Sequence, residues 1–184
     1  NGVWQGFDVA VCRAVAAAVL NDSDAIEFVP TTGKTRFTAL ASGEIDMLAR
    51  NTTWTFSRDV DLKFEFVGVN YYDGQGFMAK ADLGVSSATE LDGATVCIQT
   101  GTTTELNLAD FFRSNNMSYE AVPVETGSEA VTNYLAGACD VFTTDRSALA
   151  ARRANFEVPT DHVVLPEIVS KEPLGPLVRH GDNN

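Results

Sequence analysis

Histidine and cysteine are scarce in this chain, basic residues are few, and no long apolar run occurs. The two histidines, His162 and His180, stand apart, and the three cysteines, Cys12, Cys97 and Cys139, lack zinc-ligand spacing. No metal centre and no disulfide scaffold are therefore indicated, and no resident cofactor is expected. The odd cysteine count leaves either a partner elsewhere or a buried thiol, and the residues favour the thiol. The longest apolar stretch, Ala14 to Leu20, falls well short of the roughly 20 residues that span a bilayer. Lys and Arg number 13 against 25 Asp and Glu, a formal charge of −12. So acidic a surface repels phosphate backbones and anionic membranes, which excludes nucleic acid as an expected partner. The chain does not open with a charged segment followed by an apolar one, so a secretory signal is expected to be absent or already removed.

Catalytic signatures are missing too. Gly33-Lys34-Thr35 resembles the end of a phosphate-binding loop, but Phe28 stands where that motif needs its first glycine. Gly74-Gln75-Gly76 lacks the third glycine of a dinucleotide fingerprint, and no nucleophile elbow occurs. The triplets at Asn21, Asn51 and Asn116 match glycosylation sequons only by letter. Nothing indicates covalent or metal catalysis.

What is present is an alternation of strands and helices in 184 residues, 45% of them hydrophobic, enough for one compact domain or two small lobes. Asp8 can cap a helix running to Asn21, with Val11, Val15, Ala18 and Val19 at helical spacing. A strand is expected at Ile26 to Pro30, a helix at Thr35 to Ser42 stopped by Gly43, and a buried strand at Ile45 to Ala49. Phe64 to Val69 and Gly76 to Lys80 read as strands. Then follow strand Ala94 to Gln99, helix Leu106 to Arg113, strand Tyr119 to Val124, helix Ser128 to Ala136, strand Cys139 to Thr143, helix Arg146 to Arg153 and strand His162 to Ile168. Such alternation predicts an α/β fold with a mostly parallel sheet. The stretches Leu40 to Asn51 and Tyr134 to Asp145 share one pattern of helix end, glycine, aspartate, buried strand and polar residue. Shared α/β grammar alone can produce that match. It places Asn51 and Asp145 at carboxyl ends of strands, where open α/β sheets bind ligands.

Three loops could carry chemistry, and each has a bland alternative. Asn51 to Arg58 offers hydroxyls, an amide and a guanidinium shaped to hold a carboxylate; composition alone favours a solvated Arg58 paired with Asp59 or Asp61. Gln99 to Glu105 can present helix-start N–H groups to an anion, or simply form a capping box between Thr102 and Glu105. Asp145 can accept from an ammonium, or cap the helix that follows it.

Together, Gly6-Phe7-Asp8-Val9, Arg36 to Asp46, Asn51 to Arg58, Tyr71 to Phe77 and Gln99 to Glu105 resemble the periplasmic solute-binding proteins of polar and general L-amino-acid ABC transporters, family 3 of the bacterial extracellular solute-binding proteins. The resemblance implies a type II, two-lobed α/β fold, each lobe a mostly parallel sheet flanked by helices. Lobe 1 is expected over 1–78, lobe 2 over 79–170 and a return segment over 171–184, with a two-strand hinge near Phe77 to Ala81 and Val169 to Glu172. It implies a non-catalytic periplasmic receptor that closes on a free L-amino acid in the inter-lobe cleft and delivers it to a membrane permease. The position of Arg58 pairs with the ligand α-carboxylate in that family, supported by that of Thr53, while Asn51, where the family has glycine, offers a carbonyl to the ammonium. From the other lobe Thr102 and Thr103 reach the carboxylate and Asp145 accepts from the ammonium. Gln99 replaces a lysine found in some members, which suits a tolerant side-chain pocket. The resemblance also implies a Cys97–Cys139 disulfide, in keeping with an oxidising periplasm.

Two alternatives remain from the same resemblance: a dehydratase-like enzyme of similar fold, or a non-binding fragment or ligand-sensing module. The enzyme would need a cleft acid or base, and only Glu105, which reads as a cap, is near. The family's opening strand and closing helices are not found here, so the chain is expected to be truncated at both ends, with lobe 1 incomplete. Exposed backbone and apolar helix faces in that lobe would favour a homodimer. Light scattering should then show association at high concentration, and a clean monomer would contradict the expectation.

Overall fold

The computed structural model describes residues 3–182. The chain forms two compact units. The first takes the chain up to Thr31, Thr35–Tyr71 and the chain from Pro173; the second takes Thr32–Lys34 and Tyr72–Glu172. The divisions thus fall after Tyr71 and Glu172, against expected limits at 78 and 170.

The second unit is built on a sheet of strands β2 (Tyr71–Lys80), β3 (Ala94–Gln99), β4 (Tyr119–Val124), β5 (Val141–Asp145) and β6 (His162–Val164), ordered β4-β3-β5-β2-β6, with β7 (Ser170–Leu174) also pairing β2. β3 runs parallel to β4 and β5, whereas β2 is antiparallel to β5 and β6. Helices α3 (Thr103–Ser114) and α4 (Gly127–Leu135) make the crossovers between the parallel strands, and α5 (Arg146–Arg153) follows β5. Period two in a strand explains why its apolar runs are continuous. Phe77, Val96, Ile98 and Val141 pack with Leu108 and Phe112 in one cluster, while their neighbours Met78, Cys97 and Phe142 pack with Tyr134 and Leu149 in another. Both faces are covered, so both residue sets must be apolar. The expected disulfide is present: Cys97 and Cys139 are bonded, with Cα atoms 5.6 Å apart.

The first unit contains α1 (Phe7–Leu20), α2 (Arg36–Ser42), one π-helical turn (Ser57–Asp61), and an antiparallel pair of β1 (Phe64–Phe66) with β8 (Leu177–Arg179). Its core joins Leu40, Leu48, Phe64, Phe66 and Leu177. Gly43, at φ 79°, closes α2 by donating its N–H to the Leu40 carbonyl, a left-handed stop that suits glycine. Three expectations are corrected here. Asp8 is not the cap of α1; Gly6 holds that position, and Asp8 sits in the first turn accepting the Asn51 N–H at 3.1 Å. A carboxylate there still favours the positive end of the helix. Ile26 to Pro30 forms no ladder, and Ile45 to Ala49 contributes only the isolated bridge Leu48–Leu177. Apolar runs report burial, whereas a strand needs a neighbour to take its backbone bonds. These two segments and α1 instead line a cavity of about 770 Å³. Cys12 lies on α1 as a buried free thiol, its pKa raised by burial and then by Asp8.

A polar pair, Tyr134 with His162, lies within the core of the second unit. The Tyr134 hydroxyl lies 2.8 Å from His162 Nδ1, both residues buried. Burial lowers the His162 pKa, and Lys80 and Arg153 act in the same direction, against Asp161 and Asp82. The folded chain therefore binds fewer protons than the unfolded one, so this contribution is complete above the unfolded histidine pKa of about 6.5 and is lost progressively as pH falls from there through the lowered folded value. Denaturant midpoints should drop between about pH 7.5 and about pH 5.5, and His162→Gln should flatten that dependence. A flat wild-type profile would contradict the assignment.

Candidate functional site

Arg58 is not a solvated loop residue. It sits on the π-helical turn at 7% exposure, donates from Nη1 to the Thr53 carbonyl at 2.7 Å, and lies 5.2 Å from the Phe37 ring centroid. Asp59, its supposed partner, instead accepts from Trp54 Nε1 at 3.0 Å. The loop that supports Arg58 is pinned to the returning chain. Thr53 bridges Leu174, Trp54 N donates to the Pro173 carbonyl at 2.8 Å, and Gly175 N donates to the Thr52 carbonyl at 3.0 Å. Arg36, for which no role was legible in the residues, is buried on the same ring, 4.8 Å from the Phe37 centroid, with Nη1 donating to Thr52 Oγ1 at 3.1 Å. Asn51 is exposed and held through its backbone by Asp8. The first unit thus gathers Asn51, Thr53 and Arg58 on one short segment.

The second unit gathers the rest. Gly101 turns the chain at φ +72°, with the Gly33 and Lys34 backbone about 3.1 Å from where a Cβ would stand, so only glycine fits without strain. Thr102 then caps α3. Its Oγ1 accepts the Glu105 N–H at 3.2 Å, donates to the Gln99 carbonyl at 2.7 Å and meets Thr104 Oγ1 at 2.8 Å, while Glu105 Oε2 accepts the Gly101 N–H at 2.9 Å. One proton and two lone pairs are all a hydroxyl has. The Thr102 side chain is committed to its own turn, and what this turn offers an anion is backbone N–H. Gln99 donates to the Glu125 carbonyl at 2.9 Å. Thr103 Oγ1 donates to Glu172 at 2.9 Å.

Asp145 closes β5 at 4% exposure, in register with Gln75. It occupies the cap position of α5 but its side chain makes no cap bond; Asp73 serves that helix start instead, accepting the Ser147 N–H at 3.3 Å and its hydroxyl. The capping alternative for Asp145 therefore fails. Gln75 and Glu172, both buried, were not found from the sequence. Gln75 lies in the Tyr71 to Phe77 stretch that carries the family resemblance, but its place between two glycines points to no particular role.

The arrangement so far is two sets of buried ionic and hydroxyl groups around strand ends and a helix start. Residues 1–182 match the model of the bacterial extracellular solute-binding proteins, family 3. The chain belongs to that family. It is 66% identical over its full length to the glutamate/glutamine/aspartate/asparagine-binding protein BztA of Rhodobacter capsulatus, and 56% identical to the general L-amino acid-binding periplasmic protein AapJ of Rhizobium johnstonii. It covers 54% of each, so the chain spans about half the length of these relatives. A solved ABC transporter / periplasmic binding protein from Brucella ovis with glutathione bound superposes at TM-score 0.94 with 55% identity, covering 98% of this chain and 57% of that one. The α/β type II architecture of the family accounts for the fold described above. These relatives are transport binding proteins, and the dehydratase alternative is not favoured.

Within this family 3 chain the Thr102 role has a direct check. Thr102→Ala should lower unfolding free energy by about 1 kcal/mol through loss of the cap. No change in the denaturant midpoint would show that the hydroxyl is not spent on the turn.

Proposed function

We propose that this chain forms the ligand-recognising part of a periplasmic receptor that takes up a free L-amino acid and passes it to an ABC transporter permease. Arg58 receives the α-carboxylate, with Thr53 and the N–H groups of the α3 first turn beside it. Asp145 receives the α-ammonium, together with the Asn51 carbonyl. A zwitterion requires one fixed cation and one fixed anion out of water, because a buried charge needs fixed partners to replace its hydration. The observation that carries the reading is that a guanidinium and a carboxylate are both almost fully buried, Arg58 with Nη1 on the Thr53 carbonyl and Asp145 at the carboxyl end of β5, where open α/β sheets bind ligands. Gln99 would leave the side-chain pocket neutral, and the names of BztA and AapJ support a tolerant preference that includes acidic and amide side chains.

The same proposal makes the chain a binding protein, not an enzyme. The Cys97–Cys139 disulfide supports a periplasmic location, since such bonds persist in oxidising compartments. Two copies would associate through the first unit, where Val15, Val19 and Leu20 of α1 are exposed and border the cavity.

A thermal-shift screen against the L-amino acids tests the central part. A ligand at about 100 times its dissociation constant adds roughly 2.7 kcal/mol of stability. Arg58→Ala should remove the shift for every amino acid, because all share the carboxylate. An amino acid that still stabilised the variant as it does the wild type would overturn the role of Arg58.

A further inference from the structure

Glu172 is a buried carboxylate that the reading above does not use. It lies on β7 at 1% exposure, the last residue of the second unit. Oε2 accepts from Thr103 Oγ1 at 2.9 Å, and Oε1 accepts from Asn107 Nδ2 at 2.8 Å and from the Ser170 hydroxyl. Two of these donors belong to the first turns of α3. From the adjoining strand β2, Gln75 reaches the same helix start, donating from Nε2 to the Thr104 carbonyl at 3.0 Å and to Thr143 Oγ1 at 2.9 Å. Buried side chains from two neighbouring strands thus hold one helical turn.

The direction of the Thr103 bond has a chemical consequence. A hydroxyl has a single proton, and an ionised carboxylate can only accept it. We propose that Glu172 is a positioning residue that fixes Thr103 Oγ1 as a hydrogen-bond acceptor toward the amino-acid ligand. Thr103 then serves an N–H donor of the ligand, its ammonium or a side-chain amide, while the carboxylate is met in this unit by backbone N–H alone. The family resemblance brings the Thr103 position to the carboxylate; with its hydroxyl proton held by Glu172, Thr103 can meet that group only through its backbone N–H. It rests on the proposed amino-acid binding, with Glu172 acting through Thr103 and not by touching ligand.

Glu172→Gln tests it. The amide retains an oxygen for Asn107 and turns an N–H₂ toward Thr103, releasing the Thr103 proton toward the ligand site. Titration calorimetry with L-glutamine should show about tenfold weaker binding, the scale of one hydrogen bond to a charged group. A double-mutant cycle separates positioning from simple packing. Thr103→Val should weaken binding in the wild type and change it little in the Glu172→Gln background; equal effects in both would overturn the proposal. A ligand-free readout keeps the two hypotheses apart: the wild type should show a slowly exchanging Thr103 hydroxyl proton by NMR, with contacts to Glu172, and Glu172→Gln should lose it. That proton found directed away from Glu172 would overturn the proposal even if amino acids bind. Absence of binding by the wild type would instead defeat the amino-acid reading, and the hydroxyl signal would still decide what Glu172 does.

Discussion

A guanidinium stripped of nearly all its water must recover hydration from fixed acceptors, and in the first unit much of the local structure answers to that demand on Arg58. The Thr53 carbonyl is aimed at it, and the loop carrying that carbonyl is pinned to the returning chain at Thr52, Thr53 and Trp54. The Phe37 ring gives the cation a face, and a second buried guanidinium, Arg36, shares that ring and holds Thr52. Arginine fits such a place better than lysine because its charge is spread over a plane that can stack and donate in several directions at once.

In the second unit the corresponding constraint is a shortage of hydroxyl protons. Thr102 spends its proton on Gln99 and Thr103 spends its proton on Glu172, so a turn that reads as rich in donors has its side-chain donors engaged and keeps backbone N–H for an anion. The sheet beneath is covered on both faces, which is why the turn can be anchored by buried polar groups from β2 and β7 without leaving them to water. Asp145 stands at the strand end that this sheet fixes, and Asp73 relieves it of capping α5. The buried carboxylate of Asp145 is the counterpart in this unit of the buried guanidinium of Arg58.

Much of this was legible in the residues where local pattern and tertiary outcome agree. β3, β4 and α5 lie where strand-forming runs and helix starts place them; the centre of β3 is buried and apolar, whereas β4 is a more exposed edge strand that keeps Glu120. The stretches at Ile26 and Ile45 are also largely apolar yet lack ladders, since pairing depends on a neighbour that a run of side chains does not specify. Composition also misjudged Arg58, because an arginine among aspartates looks solvated until burial is known. Glu172 was invisible for a different reason: two of its three donors, Thr103 and Asn107, lie 69 and 65 residues away, and no spacing rule spans that distance. The disulfide, joining cysteines 42 residues apart, came into view only through the family resemblance.

The measurement closest to the central claim is a crystal structure of this chain grown with L-glutamine. The account predicts the ligand carboxylate at hydrogen-bond distance, about 3 Å, from the Arg58 guanidinium and its ammonium at similar distance from Asp145. A bound amino acid whose charged groups met neither side chain would contradict it.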